Sequence, residues 1–247
     1  RTNFYANYDI LENLAFKTTF GLSTENWTNG IYLPAVLIKS GTGGGIANIE
    51  NYRNAKVLSE NYLTYKKEIG KGDLTLLAGY SYQKSTTERF TAGAKGFLSD
   101  SFSFYYLGNG STYLQPTSSY SQTEIQSQFG RANYDYDDKY LLTATVRRDG
   151  ASNFAENHKY AVFPSGAIGW KVSNEDFLKD NEKISSLKLR ASYGLTGNPS
   201  IGAYESLAGY TSIYATSNGV NVNNVTPNQP ANPDLKWETS YQTNFGV

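Results

Sequence analysis

The chain has 247 residues, with 22 Lys+Arg against 22 Asp+Glu and no cysteine. Zero net charge without a basic run gives no electrostatic footprint for nucleic acid, and the lack of thiols excludes disulfide frameworks and thiolate metal sites. The longest apolar run, Ile31–Ile38, is interrupted by Pro34, so a transmembrane helix is excluded, whereas a membrane barrel, whose strands alternate, is not. Twenty-one tyrosines, 12 phenylalanines and 3 tryptophans favour sheet, and 23 glycines supply turns. Methionine is absent, and position 1 is Arg, so the chain reads as a piece of a longer protein.

Alternation predicts strands that come in pairs. Phe4, Ala6, Tyr8 and Ile10 share a face, then Leu11–Asn13 turn the chain, then Leu14, Phe16, Thr18, Phe20 and Leu22 share a face opposite Lys17 and Thr19. Thr24 to about Val57 reads as a long polar, glycine-rich connection. The second pair is NYLTYKKEI and LTLLAGYSYQ around the tight turn Gly70–Asp73, followed by a polar stretch from about Ser85 to Thr123. The third is QSQFGRANYDY and YLLTATVRR around Asp137–Lys139, in which Phe129 breaks the parity and calls for a bulge. The Asp149–Gly150 step is expected to end that pair's second strand. The fourth is GAIGWKV and SLKLRASYGL, joined by SNEDFLKDNEKI, which reads as one short helix capped by Ser173 or Asn174. A long loop from Thr196 to about Lys236 leads to a closing strand on which Trp237, Thr239, Tyr241, Thr243, Phe245 and Val247 fall on one face.

The sum is all-β: about nine strands whose connections run short, long, short, long. That asymmetry is expected of an antiparallel up-and-down transmembrane β-barrel, here an incomplete, open curved sheet. Lys17, Arg147, Lys171, Lys188, Arg190 and Glu238 would border water, and the aliphatic and aromatic parity would border lipid. Tyr8, Tyr134, Tyr136, Tyr140 and Trp170 stand beside short turns, where an interfacial aromatic girdle belongs. The same pattern also suits a secreted all-β carbohydrate-binding or glycan-degrading protein with its apolar face against a second sheet.

No residues assemble into a catalytic or metal-binding signature. His158 is the single histidine and has no partner at telling spacing. GTGGG at Gly41–Gly45 lacks the remainder of a dinucleotide or P-loop motif. The carboxylate pairs Asp137/Asp138 and Glu175/Asp176 sit in turns. No enzyme activity, cofactor or metal is therefore expected. Two loops are rich in aromatics: Ser101–Gln115, with Tyr105, Tyr106 and Tyr113, and Ala203–Gly219, with Tyr204, Tyr210 and Tyr214. These six tyrosines are the candidate ligand contacts. Their rings suit stacking on sugars, docking to a protein, or simple packing of the loops.

Several segments carry a family resemblance. YDYDDKYLLTATVRRDGASNF, FPSGAIGWKVSNEDFL, LKLRASYGLTGN and NPDLKWETSYQTNFG occur in that order, with ENLAFKTTFG and LTLLAGYSYQ before them. Together they resemble the SusC/RagA-like TonB-dependent outer-membrane transporters over nearly the whole chain. RRDG (Arg147–Gly150), FPS (Phe163–Ser165), GLTGN (Gly194–Asn198) and NPDLKWE (Asn232–Glu238) are specific as a set. The resemblance implies that residues 1–247 are barrel strands, with the plug and the remaining strands outside the chain. It implies uptake of glycans or oligopeptides across the outer membrane of a Bacteroidota-like bacterium. The implied partners are a SusD-like surface lipoprotein, TonB through a more N-terminal region, a glycan or peptide ligand, and outer-membrane lipid, with no nucleic acid. Within NPDLKWE, Asn232 and Pro233 would set a turn and Trp237 would begin the lipid-facing row.

Overall fold

In the computed structural model, residues 1–37, 44–178, 183–217 and 220–247 are described, without the side chains of 214–217 and 220–222. Among these residues eleven strands form: β1 Thr2–Leu11, β2 Leu14–Leu33, β3 Gly45–Ile69, β4 Gly72–Phe97, β5 Gly110–Tyr136, β6 Tyr140–Ala151, β7 Tyr160–Lys171, β8 Lys188–Asn198, β9 Gly209–Ser217, β10 Val220–Gln229 and β11 Glu238–Gly246. Nine lie in one sheet in the order β1-β2-β3-β4-β5-β6-β7-β8-β11, and β9 and β10 form a separate two-stranded ribbon. Every neighbour in the large sheet is the next large-sheet strand along the chain. β1 and β11 each have one neighbour, so the sheet is open, as its alternating pattern predicts.

Four expectations are corrected. The polar stretches from Thr24 and from Ser85 are largely strand, since β2 to β5 run 20, 25, 26 and 27 residues. Phe129 needs no bulge: the β5–β6 ladder is continuous from Ile125↔Ala151 to Tyr136↔Tyr140, with Phe129 opposite Arg147. Asp149 and Gly150 do not end β6, because they pair with Ala161 and Tyr160 of β7. The connector after β7 begins as a 3₁₀ turn over Val172–Asn174, and among the described residues it holds no α-helix. Residues 179–182 of that connector, and Gly41–Gly43 of the GTGGG motif, lie outside the described residues.

The chain divides into two compact units. The first comprises Arg1–Thr2, Gly21–Val57 and Lys84–Gln122. Its apolar core is small: Ala47, Ala94 and Phe97 are buried, and Tyr32, Phe104 and Leu107 pack on them. The Tyr32 hydroxyl donates to Asp100 Oδ1 at 2.6 Å, and its ring meets Phe97 edge-on. Elsewhere in this unit polar side chains cross-link the strands. The Thr28 hydroxyl donates to Asn51 Oδ1 at 2.7 Å, and the buried Asn54 amide to Thr87 Oγ1 at 2.8 Å. Trp27 stacks on Tyr52 with centroids 4.8 Å apart.

The second unit comprises Asn3–Phe20, Leu58–Gln83 and Thr123–Val247. Its buried cluster is Ala151, Phe154, Phe163 and Trp237, with Ile125, Ala161, Leu195, Ile201 and Leu235 packed around it. Trp237 is therefore not the first residue of an exposed row. Its ring lies 4.8 Å from Phe154 and 5.4 Å from Phe163, and its Nε1–H donates to the Lys159 carbonyl at 2.9 Å. β11 begins one residue later, and burial of an indole with its donor satisfied wins over continued alternation. The Asn232 turn forms as expected: its carbonyl and side-chain oxygens accept from the Leu235 and Asp234 amides.

Candidate functional site: an apolar sheet face between two aromatic rims

The strand registers assemble one face of the second unit row by row. Tyr134, Leu142, Ile168, Ala191 and Phe245 stand side by side across five strands, as do Gly130, Val146 and Pro164 across three. The opposite face carries Asn133, Thr143, Ala167, Ser192 and Asn244. In a water-soluble fold the apolar row would be the hidden one. Here Leu142, Val146 and Ile168 are 49%, 51% and 59% exposed. Asn133, Thr143 and Ser192 are half-buried. Among the described residues no second layer covers the apolar row.

At the short-turn end, this face finishes in rings. Tyr134, Tyr136 and Tyr140 follow one another at 6.2 and 6.4 Å, and Tyr140 is the register partner of Trp170. Glu175 ties the rim to the connector after β7, accepting from the Tyr140 hydroxyl at 2.6 Å and from Trp170 Nε1–H at 2.9 Å. Those two bonds, aided by Lys139 at 3.5 Å, hold the Glu175 carboxyl below its ordinary value against burial, which acts the other way. The adjoining turn is cross-braced. Lys171 bridges Asp138 and Asp135, and the Asn174 amide donates to the Asp138 carbonyl at 2.8 Å. Asp137 and Asp138 both adopt positive φ, the mirror-image turn conformation that matches strand twist and that aspartate tolerates.

At the long-loop end, Tyr160 takes the same face. Arg148 lies 4.1 Å over its ring and donates to Gln128 Oε1 at 3.2 Å, and Gln126 hydrogen-bonds both Tyr80 and Tyr160. Gly150 leaves room for the Tyr160 ring, which a Cβ there would overlap. On β7 the two rims, Tyr160 and Trp170, are ten residues apart. At about 3.3 Å per residue they lie about 33 Å apart along the strand. At a tilt of about 40°, that is roughly 25 Å along the normal, the height of the apolar band of a membrane barrel.

The four sequence motifs lie together around the buried cluster rather than at an open site: FPS, GLTGN and NPDLKWE contribute residues to it, and Arg147 of RRDG is the register partner of Phe163. Arg147 of RRDG pairs with Asp149 at 2.7 Å and donates to Ser127 Oγ at 2.8 Å, so its partners are local and on neighbouring strands. Phe163 of FPS touches Trp237 of NPDLKWE, and Gly197 of GLTGN leaves space for the Phe163 ring. Asn198 donates to Glu238 Oε2 at 2.9 Å. Pattern reading could not find this convergence, because four segments far apart in sequence meet only through the β6–β7–β8–β11 pairing.

The six loop tyrosines are placed as follows. In the first unit Tyr105 closes a 3₁₀ turn, tilted on Phe104 at 4.4 Å, and Tyr106 meets Phe102 edge-on; Tyr113 is on β5. All three are exposed. In the second unit Tyr204 holds a positive φ of 66° and Tyr210 lies on β9; both are exposed. The Tyr214 backbone lies in β9, and its side chain lies outside the described residues. His158 Nε2 stands 4.0 Å from Asp234 Oδ1, and among the described residues no three His, Asp or Glu side chains gather as a metal site would require.

An open antiparallel sheet with an uncovered apolar face, rimmed by aromatics at both ends, is part of a transmembrane-type β-barrel. The chain matches the family model described as TonB dependent receptor-like, beta-barrel, over residues 1–247, and it belongs to that family. It is 49% identical over its whole length to TonB-dependent receptor P3 of Formosa agariphila, covering 25% of that protein. It is 32% identical over 75% of its length to TonB-dependent receptor SusC of Bacteroides thetaiotaomicron, covering 18% of it. A chain in the structure of the RagAB peptide transporter superposes with a TM-score of 0.88 at 29% identity, over 98% of this chain and 27% of that one. The chain thus spans about a quarter of the length of the relatives it most fully matches.

Proposed function

We propose that residues 1–247 form part of the wall of an outer-membrane barrel that imports glycans or oligopeptides with energy delivered by TonB. The observation that carries this reading is the exposed apolar face whose aromatic rims stand one membrane band apart on β7. Family membership supports the TonB dependence, likeness to the RagAB peptide transporter supports oligopeptides as ligands, and the resemblance to SusC/RagA-like transporters implies glycans as the other class. The barrel wall performs no bond chemistry. It confines the ligand route on its polar face, while a plug outside this chain would open and close that route. A SusD-like surface lipoprotein would deliver ligand at the long-loop end. Within the second unit Tyr204 and Tyr210, and within the first Tyr105, Tyr106 and Tyr113, would each offer exposed rings for ligand contact.

The test uses the full-length receptor. Spin labels at Leu142, Leu189 and Tyr241 should be quenched by lipid-dissolved oxygen and shielded from a water-soluble relaxant. Water exposure at all three positions overturns the reading. Uptake of labelled oligosaccharides and labelled oligopeptides by cells carrying the receptor then separates the two ligand classes.

A further inference from the structure

We propose that the long-loop rim of the second unit binds the phosphorylated headgroup of a lipid through Arg148 and Lys159. The proposal rests on the reading that the apolar face meets lipid. Two adjacent arginines differ in what neutralises them. Arg147 points to the polar face and is paired with Asp149 at 2.7 Å. Arg148 shares the face of Leu142 and Val146, two residues beyond the apolar row, and is exposed. Its guanidinium has the Tyr160 ring at 4.1 Å and the Gln128 amide oxygen at 3.2 Å, but no carboxylate at ion-pair distance among the described residues. Lys159, one residue before Tyr160, also has no such partner among them. Beside Tyr160 lies a cavity of about 200 Å³, lined by Lys159, Gln126, Ser152, Tyr82 and Glu124. Glu124 is its single acid, and that carboxylate already accepts from the Tyr82 hydroxyl.

A cation at the border of a hydrocarbon band is costly unless its head reaches an interfacial counter-ion. The Tyr160 ring lies under the Arg148 guanidinium at that border, and among the described residues Gln128 is the one side-chain acceptor it reaches. A guanidinium forks onto phosphate oxygens, and a nearby ammonium adds a second charge. Charge complementarity and depth both select an anionic lipid headgroup, because the site opens where the apolar face ends.

The experiment compares the full-length receptor with its Arg148→Gln/Lys159→Gln form in two bilayers, one of phosphatidylcholine alone and one doped with phosphatidic acid. The expected result is a higher unfolding midpoint for the wild type in the doped bilayer. The double variant should lose most of that rise while keeping its phosphatidylcholine midpoint. An equal rise in both proteins overturns the proposal. So does a rise reproduced by inorganic phosphate added to phosphatidylcholine, which would make this a site for free phosphate. Should the double variant fail to insert, native mass spectrometry of the wild type decides: preferential retention of phosphatidic acid supports the site, and equal retention of both lipids overturns it. Failure of the membrane reading would appear separately, as water contact at the spin-labelled positions.

Discussion

At the residue scale, single side chains hold the rims by serving two elements at once. Glu175 accepts from Tyr140 of β6 and Trp170 of β7 while sitting in the connector that follows β7. Because those donors depress its pKa, its contribution is complete above the ordinary carboxylate value and is lost as pH falls through the lower folded value. Trp170 emission should therefore change on acidification in the wild type. Glu175→Gln should start from the changed signal and stay flat across the same range. A matching titration in both proteins would assign the change elsewhere. Gly150 works by what it lacks. Gly150→Ala sets a Cβ into the Tyr160 ring, and overpacking of this kind costs about 1–3 kcal/mol. The expected readout is a lower urea midpoint together with a loosened Arg148, because the ring that supports the guanidinium must move. The RRDG motif, read in sequence as the end of a strand, is thus four residues with separate tasks: Arg147 and Asp149 pair, Arg148 stacks, and Gly150 makes space.

At the element scale, the strands divide by how their partners identify themselves. β6, β7, β8 and β11 were legible because one parity is apolar and the other polar, and the register confirms that parity row by row. The far portions of β2 to β5 were not, because residues such as Thr28, Asn51, Asn54 and Thr87 put polar groups on the strands and pair through them. A strand wet on both sides has no hydrophobic period to read. Phe129 was misjudged for the opposite reason. It is a ring on the polar face, in register, 5.6 Å from the Arg147 guanidinium. Two predictions follow from parity and from the buried cluster. Leu142→Arg should cost about 2–4 kcal/mol in a bilayer, whereas Thr143→Arg, one residue on and facing the other way, should cost about 1 or less. Unfolding of both variants in liposomes would reverse the order of the two costs if the faces were misassigned. Trp237→Ala removes the ring that joins Phe154 to Phe163, and should cost about 3–5 kcal/mol. Combined with Phe163→Ala, it should cost less than the sum of the two, because each variant empties part of the same cluster.

At the scale of the whole chain, the open sheet presents two different edges. β1 pairs only with β2 and β11 only with β8, so each leaves a row of backbone donors and acceptors without a ladder partner among the described residues. Both edges are also apolar and uncovered: Phe4 and Tyr8 are 65% and 67% exposed, and Tyr241 and Phe245 are 69% and 82% exposed. In lipid each unpaired group costs several kcal/mol, so insertion of this chain by itself is opposed by its own edges. In water the same edges template the addition of further strands, and the apolar face drives copies together. Expressed alone, residues 1–247 should therefore aggregate, and light scattering after size exclusion should show polydisperse assemblies. A monodisperse monomer with a cooperative thermal transition would contradict this. Edge and face can be separated experimentally. Gln242→Lys and Asn244→Lys place charge on β11 alone, on the parity opposite Phe245, which blocks strand addition there while leaving the apolar face from Leu142 to Phe245 unchanged. If edge pairing drives assembly, that variant yields smaller species at the same concentration. If the face drives it, particle size is unchanged, and only detergent disperses the chain.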